Sequence, residues 1–161
     1  MKTLIVYASK TGTTRKCASL LAEALPGAEV FDLAKEIPDP GAYDAVIVGG
    51  SIRAGSLSGE TKRYLEQCAP ILAGKRLGLF LCCCDDTQAE KYFSANVPES
   101  LLKSAVVHRN FGGELNRDRA KGLDRLILKL LQKAADKNGM QPALYPDRVR
   151  AFAAAMTGEN A

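Results

Sequence analysis

The chain has 161 residues, 47% of them hydrophobic, which is enough for one domain with a full core. No apolar run approaches the roughly 20 residues needed to cross a bilayer. Five cysteines, an odd number with three consecutive, do not make a disulfide framework. The net charge is +4 and the pI near 8.8, a balance that suits acidic partners, anionic substrates or an anionic membrane surface.

In chain order, residues 3–8 read as a buried strand and 13–25 as a helix ended by Pro26-Gly27. Because the strand starts straight after Met1-Lys2-Thr3, no signal peptide is expected and a cytoplasmic location is. Ala28 to Leu33 is a second strand, and the two prolines of Ile37-Pro38-Asp39-Pro40-Gly41 make a loop. Asp44 to Gly49 is a third strand, its continuous apolar centre calling for helices on both faces. Gly50 to Leu57 reads as a loop and Ser58 to Leu72 as a helix. A fourth strand runs from Leu77 to Cys83.

Between Thr87 and Leu102 one helix is expected before Pro98 and a short one after it. A fifth strand covers Ala105 to Phe111 and stops at Gly112-Gly113. Helices are expected over 119–137 and 147–156. In the first of these, Leu123, Leu126, Ile127, Leu130, Leu131 and Ala134 form an apolar stripe, with Arg125, Lys129, Lys133 and Lys137 elsewhere. Such a helix either covers the sheet or lays a basic edge on an anionic membrane. The lone histidine, His108, falls in a strand and reads as a structural residue.

Alternating strands and helices give a single-domain α/β fold: a doubly wound, five-stranded parallel sheet of order 2-1-3-4-5 with helices on both faces. In this order the loops after strands 1, 3 and 4 converge beside the topological switch point, where ligands bind. A receiver domain shares the topology but needs acidic residues after strand 1. Tyr7-Ala8-Ser9 supplies none.

The first of these loops is Ser9-Lys10-Thr11-Gly12-Thr13-Thr14. Hydroxyl residues around one glycine, between a buried strand and a helix start, direct backbone N–H groups and hydroxyls at one point and suit a phosphate. No Gly-x-x-x-x-Gly-Lys-Ser/Thr is present, and Gly12 alone does not make the dinucleotide fingerprint. The pattern therefore fits a phosphomonoester that is bound without being hydrolysed.

Ile5-Val6-Tyr7, Ser9, Gly12, Thr14, Ala18 and Leu21 fall at the spacing of the flavodoxin signature, and the whole chain resembles that superfamily. The resemblance implies that Ser9 to Thr14 hold the phosphate of flavin mononucleotide (FMN). It implies that Ser51, Ile52, Arg53, Ala54 and Gly55 run along the edge of the isoalloxazine ring. Cys82, Cys83, Cys84 and Asp85 then form the second ring loop. Both ring loops lack the stacking aromatic common in flavodoxins, and the chain has no tryptophan.

Gly-x-Ser-Ile-Arg-x-Gly, together with Asp124 to Lys129, resembles the menaquinone-dependent protoporphyrinogen oxidases of flavodoxin fold. That closer resemblance implies an FMN-dependent oxidoreductase passing electrons to a quinone, with Arg53 facing the flavin pyrimidine or a substrate carboxylate. The connecting loop here is short and lacks that family's aromatic and basic run. Three readings follow: an electron-transfer protein with a redox partner, an oxidoreductase acting on a small anionic substrate, and a flavin-free binding module. No metal site and no catalytic acid–base set emerges, and no nucleic-acid partner is expected. Alternation across the strand makes Cys82 to Cys84 packing residues rather than redox thiols.

Overall fold

The computed structural model describes residues 1–113 and 143–159, together with Leu126, Lys129, Leu130 and Lys133. The strands are β1 (Thr3–Ala8), β2 (Glu29–Asp32), β3 (Ala45–Arg53), β4 (Ser56–Leu57), β5 (Arg76–Cys82) and β6 (Val107–Asn110). Five of them run parallel in the order β2-β1-β3-β5-β6, and β4 pairs antiparallel with the end of β3. The helices are α1 (Thr13–Ala24), α2 (Gly59–Leu72), α3 (Ala89–Asn96), α4 (Glu99–Ser104) and α5 (Pro146–Thr157). With β4 set aside as a hairpin addition, this is the doubly wound order expected.

Every residue of β1 is buried, as a strand covered on both faces must be. The period-two alternation divides its side chains between two cores. Leu4 and Val6 pack with Val46, Val48, Leu77 and Leu79 under Tyr64, Leu65, Leu72, Phe93 and Leu101. Ile5 and Tyr7 pack with Ile47 and Phe80 under Cys17, Leu21, Val149, Phe152 and Met156. Arg76 closes the end of α5 by donating from Nε and a terminal nitrogen to the Met156 and Ala155 carbonyls, both at 2.7 Å.

Packing demands glycine most tightly at position 49 of the sheet. Gly49 lies opposite Phe80 in register, and a Cβ on it would fall 2.0 Å from the Phe80 ring. That ring in turn stacks on Phe111 with centroids 4.8 Å apart and meets Phe152 edge-on.

The expected loop over 50–57 is the main correction to the reading of the chain. β3 continues to Arg53 and turns back through Ala54 and Gly55 into β4, so that Ile52 pairs with Leu57 and Arg53 with Ser56. Ala54 at φ 50° and Gly55 at φ 78° are the positive-φ pair of a type I′ turn, the turn that matches strand twist. Glycine richness disguised the strand: Gly49-Gly50 sit inside it rather than ending it.

The helix expected over 119–137 lies outside the described residues except at Leu126, Lys129, Leu130 and Lys133, which are helical. Leu126 and Leu130 are 54% and 60% exposed, and Lys129 and Lys133 are exposed beside them. His108 takes a structural role, its Nε2 3.2 Å from Glu90 Oε2 and its ring edge-on to Phe93.

Candidate functional site

Strand register brings three loops to one edge of the sheet. Ala8 pairs with Gly50, Ser51 with Cys82 and Leu81 with Asn110. The chain therefore leaves β1 at Ser9, enters the β3–β4 hairpin at Ser51 and leaves β5 at Cys83, all on the carboxyl side where doubly wound sheets bind ligands. A groove of about 490 Å³, lined by Met1, Thr3, Leu25, Arg150 and Thr157, lies at the amino ends of the strands instead.

The first loop is built by its own backbone. Gly12, at φ 96°, takes the left-handed conformation that turns the strand into α1. Its N–H donates to Ser9 Oγ at 3.0 Å, and its carbonyl accepts from Lys16 N–H at 3.0 Å. No side chain caps α1, so the first-turn N–H groups face the loop, where the helix dipole favours negative charge. The Thr14 hydroxyl is buried without a hydrogen-bond partner, and Thr14 as a whole is 1% exposed. The Cys82 thiol lies beside that hydroxyl, which acts to lower the thiol pKa against the larger raising effects; sulfur is a weak hydrogen-bond partner. Lys10 is exposed and Thr11 half-buried at the loop tip, while Thr13 is buried. Arg15 turns away to Tyr7 Oη at 3.2 Å and Asp32 at 3.3 Å.

The second loop, the hairpin, is held from outside itself. Buried Asn96 on α3 accepts from Leu57 N–H through Oδ1 at 3.0 Å. Its Nδ2 donates to the Gly55 carbonyl at 3.0 Å and the Tyr92 carbonyl at 2.9 Å. One N–H and two carbonyls around the amide permit only this orientation. Ser51, Ile52, Arg53 and Gly55 are half-buried and Ala54 exposed. At the hairpin base, the Thr61 hydroxyl donates to the Gly49 carbonyl at 3.1 Å, and Ser58 N–H to the Ser51 carbonyl.

The third loop has a matching clamp. Asn110 Oδ1 accepts from Cys83 and Gly112 N–H, both at 3.1 Å. Its Nδ2 donates to the Cys83 carbonyl at 3.2 Å and to Asp86 Oδ1 at 3.1 Å. Asp86 also receives Arg148 bidentately at 2.6 and 2.9 Å. The Arg148 guanidinium, first among the causes, holds the Asp86 carboxyl below its usual range. Asp85 spends its carboxylate on Thr87 N–H at 3.1 Å and on the Thr87 hydroxyl.

The cysteines are placed as packing residues. Cys82 is buried with its Sγ 3.6 Å from Cys17 Sγ beneath the first loop. That hydrogen bond, then burial, raises its pKa well above the ordinary thiol value. Burial pushes the Cys83 thiol up to about 12 and raises that of Cys84. A Cβ on Gly113 would meet Cys84 Sγ at 2.8 Å, so the glycine lets this loop lie flat on the next strand end. Such thiols stay protonated and are poor nucleophiles.

Sequence reasoning placed every candidate residue at this edge but missed Asn96, Asn110 and Arg148, which hold the loops. A single asparagine within a helix or strand has no signature. The one available signal was that Asn110 ends a strand with one residue between it and Gly112-Gly113.

The fold and the hydroxyl loop define a doubly wound α/β protein with an uncapped helix start and a buried, unpartnered hydroxyl at its switch point. The family model described as Flavodoxin domain matches residues 4–141, and the chain belongs to that family. Oxidised flavodoxin 1 from Bacillus cereus shares 14% identity over 100% of both chains, with a TM-score of 0.56. The Fusobacterium nucleatum flavodoxin bound to flavin mononucleotide shares 14% identity over 98% of both, also at 0.56. A Lactobacillus acidophilus flavoprotein in complex with FMN shares 17% identity over 68% of this chain and 92% of its own, at 0.52. No curated protein matches the chain.

Proposed function

We propose that the protein binds FMN at this edge and acts in electron transfer. The observation that carries the reading is the Thr14 hydroxyl, buried without a partner at the uncapped start of α1. A buried hydroxyl left unpaired costs about 1–3 kcal/mol, and a phosphate oxygen in the loop is the acceptor that would remove that cost. The first-turn N–H groups and Ser9 to Thr14 suit the same dianion, and Lys10 adds a cation. Solved flavodoxins of the same fold carry FMN, which agrees with the donor set. Bound FMN supplies reversible electron transfer at its ring. The protein's part is to seat the phosphate, place the ring between the hairpin and the 83–85 turn, and present backbone N–H groups to it.

Flavin absorption on titrating the purified protein with FMN tests the reading. The expected result is a saturable shift of the visible bands at one equivalent. Unperturbed bands would leave the flavin-free binding module as the reading.

A second reading, oxidation of a small anionic substrate with a quinone acceptor, is favoured by one observation. Arg53 stands half-buried at the hairpin end, following Ser51-Ile52, where a guanidinium can engage a carboxylate bidentately. Protoporphyrinogen turnover with menaquinone by the FMN-loaded protein would favour it over a carrier. Exposed Leu126 and Leu130 beside Lys129 and Lys133 support peripheral contact with an anionic membrane. Flotation with liposomes that depends on anionic lipid is the expected result. Five free cysteines fit a cytoplasmic setting, and among the described residues no helix is long and apolar enough to cross a membrane.

A further inference from the structure

Neither ring loop carries an aromatic residue, in 49–56 or in 82–86, yet the fold brings one between them. Tyr92 on α3 is half-buried, and a Cβ on Gly55 would lie 3.9 Å from its Cε1. The third loop runs through Asp86–Gln88 directly into α3 at Ala89, so Tyr92 stands one helical turn beyond that loop, and burial raises its phenol pKa. One helical turn further, Asn96 grips the hairpin on both sides of its turn, at the Gly55 carbonyl and the Leu57 N–H. That turn contains the one non-glycine residue at positive φ among the described residues, Ala54 at 50°. Left-handed backbone costs an alanine about 1–2 kcal/mol and persists only where the surroundings impose it. The hairpin register, Arg53 opposite Ser56, imposes it, and Asn96 fixes the chain on the far side of the turn at Gly55 and Leu57.

We propose that α3 builds the flavin-ring subsite, with Asn96 as the residue that positions the hairpin and Tyr92 as the aromatic wall the two loops lack. The proposal rests on the FMN reading and names the source of ring recognition within it. Asn96 never touches the ring. It keeps the Gly55 carbonyl turned inward, so the hairpin presents its remaining backbone groups to a ligand in one fixed arrangement. Without it, the buried Leu57 N–H and the part-buried Gly55 carbonyl lose their partner, and the strained turn is free to relax. Tyr92 offers a polarised face at the gap between the loops, suited to offset stacking on a flat heteroaromatic.

The test separates ring from phosphate by using riboflavin beside FMN. Asn96→Ala should weaken both flavins by the same factor, about tenfold, and should reduce the visible circular dichroism of bound flavin. Tyr92→Phe should keep the affinity but restore fluorescence that tyrosine quenches, and Tyr92→Leu should lose both affinity and quenching. Hydrogen exchange on the wild-type protein provides a readout that needs no variant: riboflavin should slow exchange at Ser56 and Leu57. Unchanged affinity for both flavins in Asn96→Ala, with only a lower melting temperature, would overturn the positioning role. Unchanged fluorescence in Tyr92→Phe would overturn the wall, and no added protection at Ser56 and Leu57 would overturn the subsite. If wild-type protein binds FMN and these results fail, the inference falls alone; if it binds neither flavin, the parent reading falls with it.

Discussion

The two ends of the site are built on opposite plans. The phosphate end is local: Ser9 to Thr14 follow one another in the chain, Gly12 makes the turn, and α1 supplies unpaired donors. The ring end is assembled from distant segments. Asn96 reaches back 39 residues to Leu57, Asn110 reaches 27 to Cys83, and Arg148 reaches 62 to Asp86. The difference teaches where each end keeps its unsatisfied chemistry. The ring end has its amides and carboxylates paired within the protein, whereas the phosphate end leaves a buried hydroxyl open. On the FMN reading, the first end draws the ligand and the second shapes its seat.

The sharpest way to break this contrast is at Thr14. Thr14→Val should cost FMN affinity about 10- to 100-fold, the value of a hydrogen bond to a charged group, and leave riboflavin affinity unchanged. It should also raise the melting temperature of the flavin-free protein slightly, because the hydroxyl removed there has no partner. Equal losses for both flavins would show that the two ends are not separable.

At the ring end, Gly49→Ala places a methyl 2.0 Å from the Phe80 ring. Overpacking of this kind costs about 1–3 kcal/mol, so the melting temperature should drop by several degrees. A fully retained melting temperature would mean that the Phe80–Phe111–Phe152 cluster yields more easily than close packing allows.

Ala54→Gly removes the left-handed strain and should stabilise the flavin-free protein by about 1 kcal/mol, read by denaturant titration. No gain would mean that Ala54 relaxes already and that the hairpin does not hold it.

The smallest effect concerns acid. Asp86 has its carboxyl pKa lowered by Arg148, so its contribution is present above the unfolded carboxylate pKa, near 4, and is lost as pH falls through the lower folded value. Arg148→Met should therefore lower stability slightly at neutrality, the pair being part-exposed, and flatten the acid limb because the difference from wild type closes as pH falls below about 4. An unchanged acid limb would place the third loop's anchorage in Asn110 alone.

The same local-versus-distant division explains what was legible in the sequence. The sheet order could be read because β1, β3 and β5 are apolar runs separated by helical periodicity. The phosphate loop could be read because all its parts lie within six positions. The hairpin could not: its strand character lies in pairing between Ile52 and Leu57, and glycines at 49, 50 and 55 resemble loop punctuation. The asparagine clamps were invisible for a different reason. An amide that bonds to backbone 27 or more residues away leaves no local pattern, since any polar residue at that helix or strand position reads the same. Tyr92 lies outside both ring loops in the sequence, and only the fold sets it against Gly55.

The claim that the β1–α1 loop is a phosphate site, distinct from the ring end, is tested most directly by one ratio. FMN and riboflavin differ only in the phosphate, so titration calorimetry with each gives that group's contribution. The expected result is that FMN binds the wild-type protein at least about tenfold more tightly than riboflavin, and that Thr14→Val reduces the ratio toward one. Equal affinities for the two flavins in the wild-type protein would contradict the account.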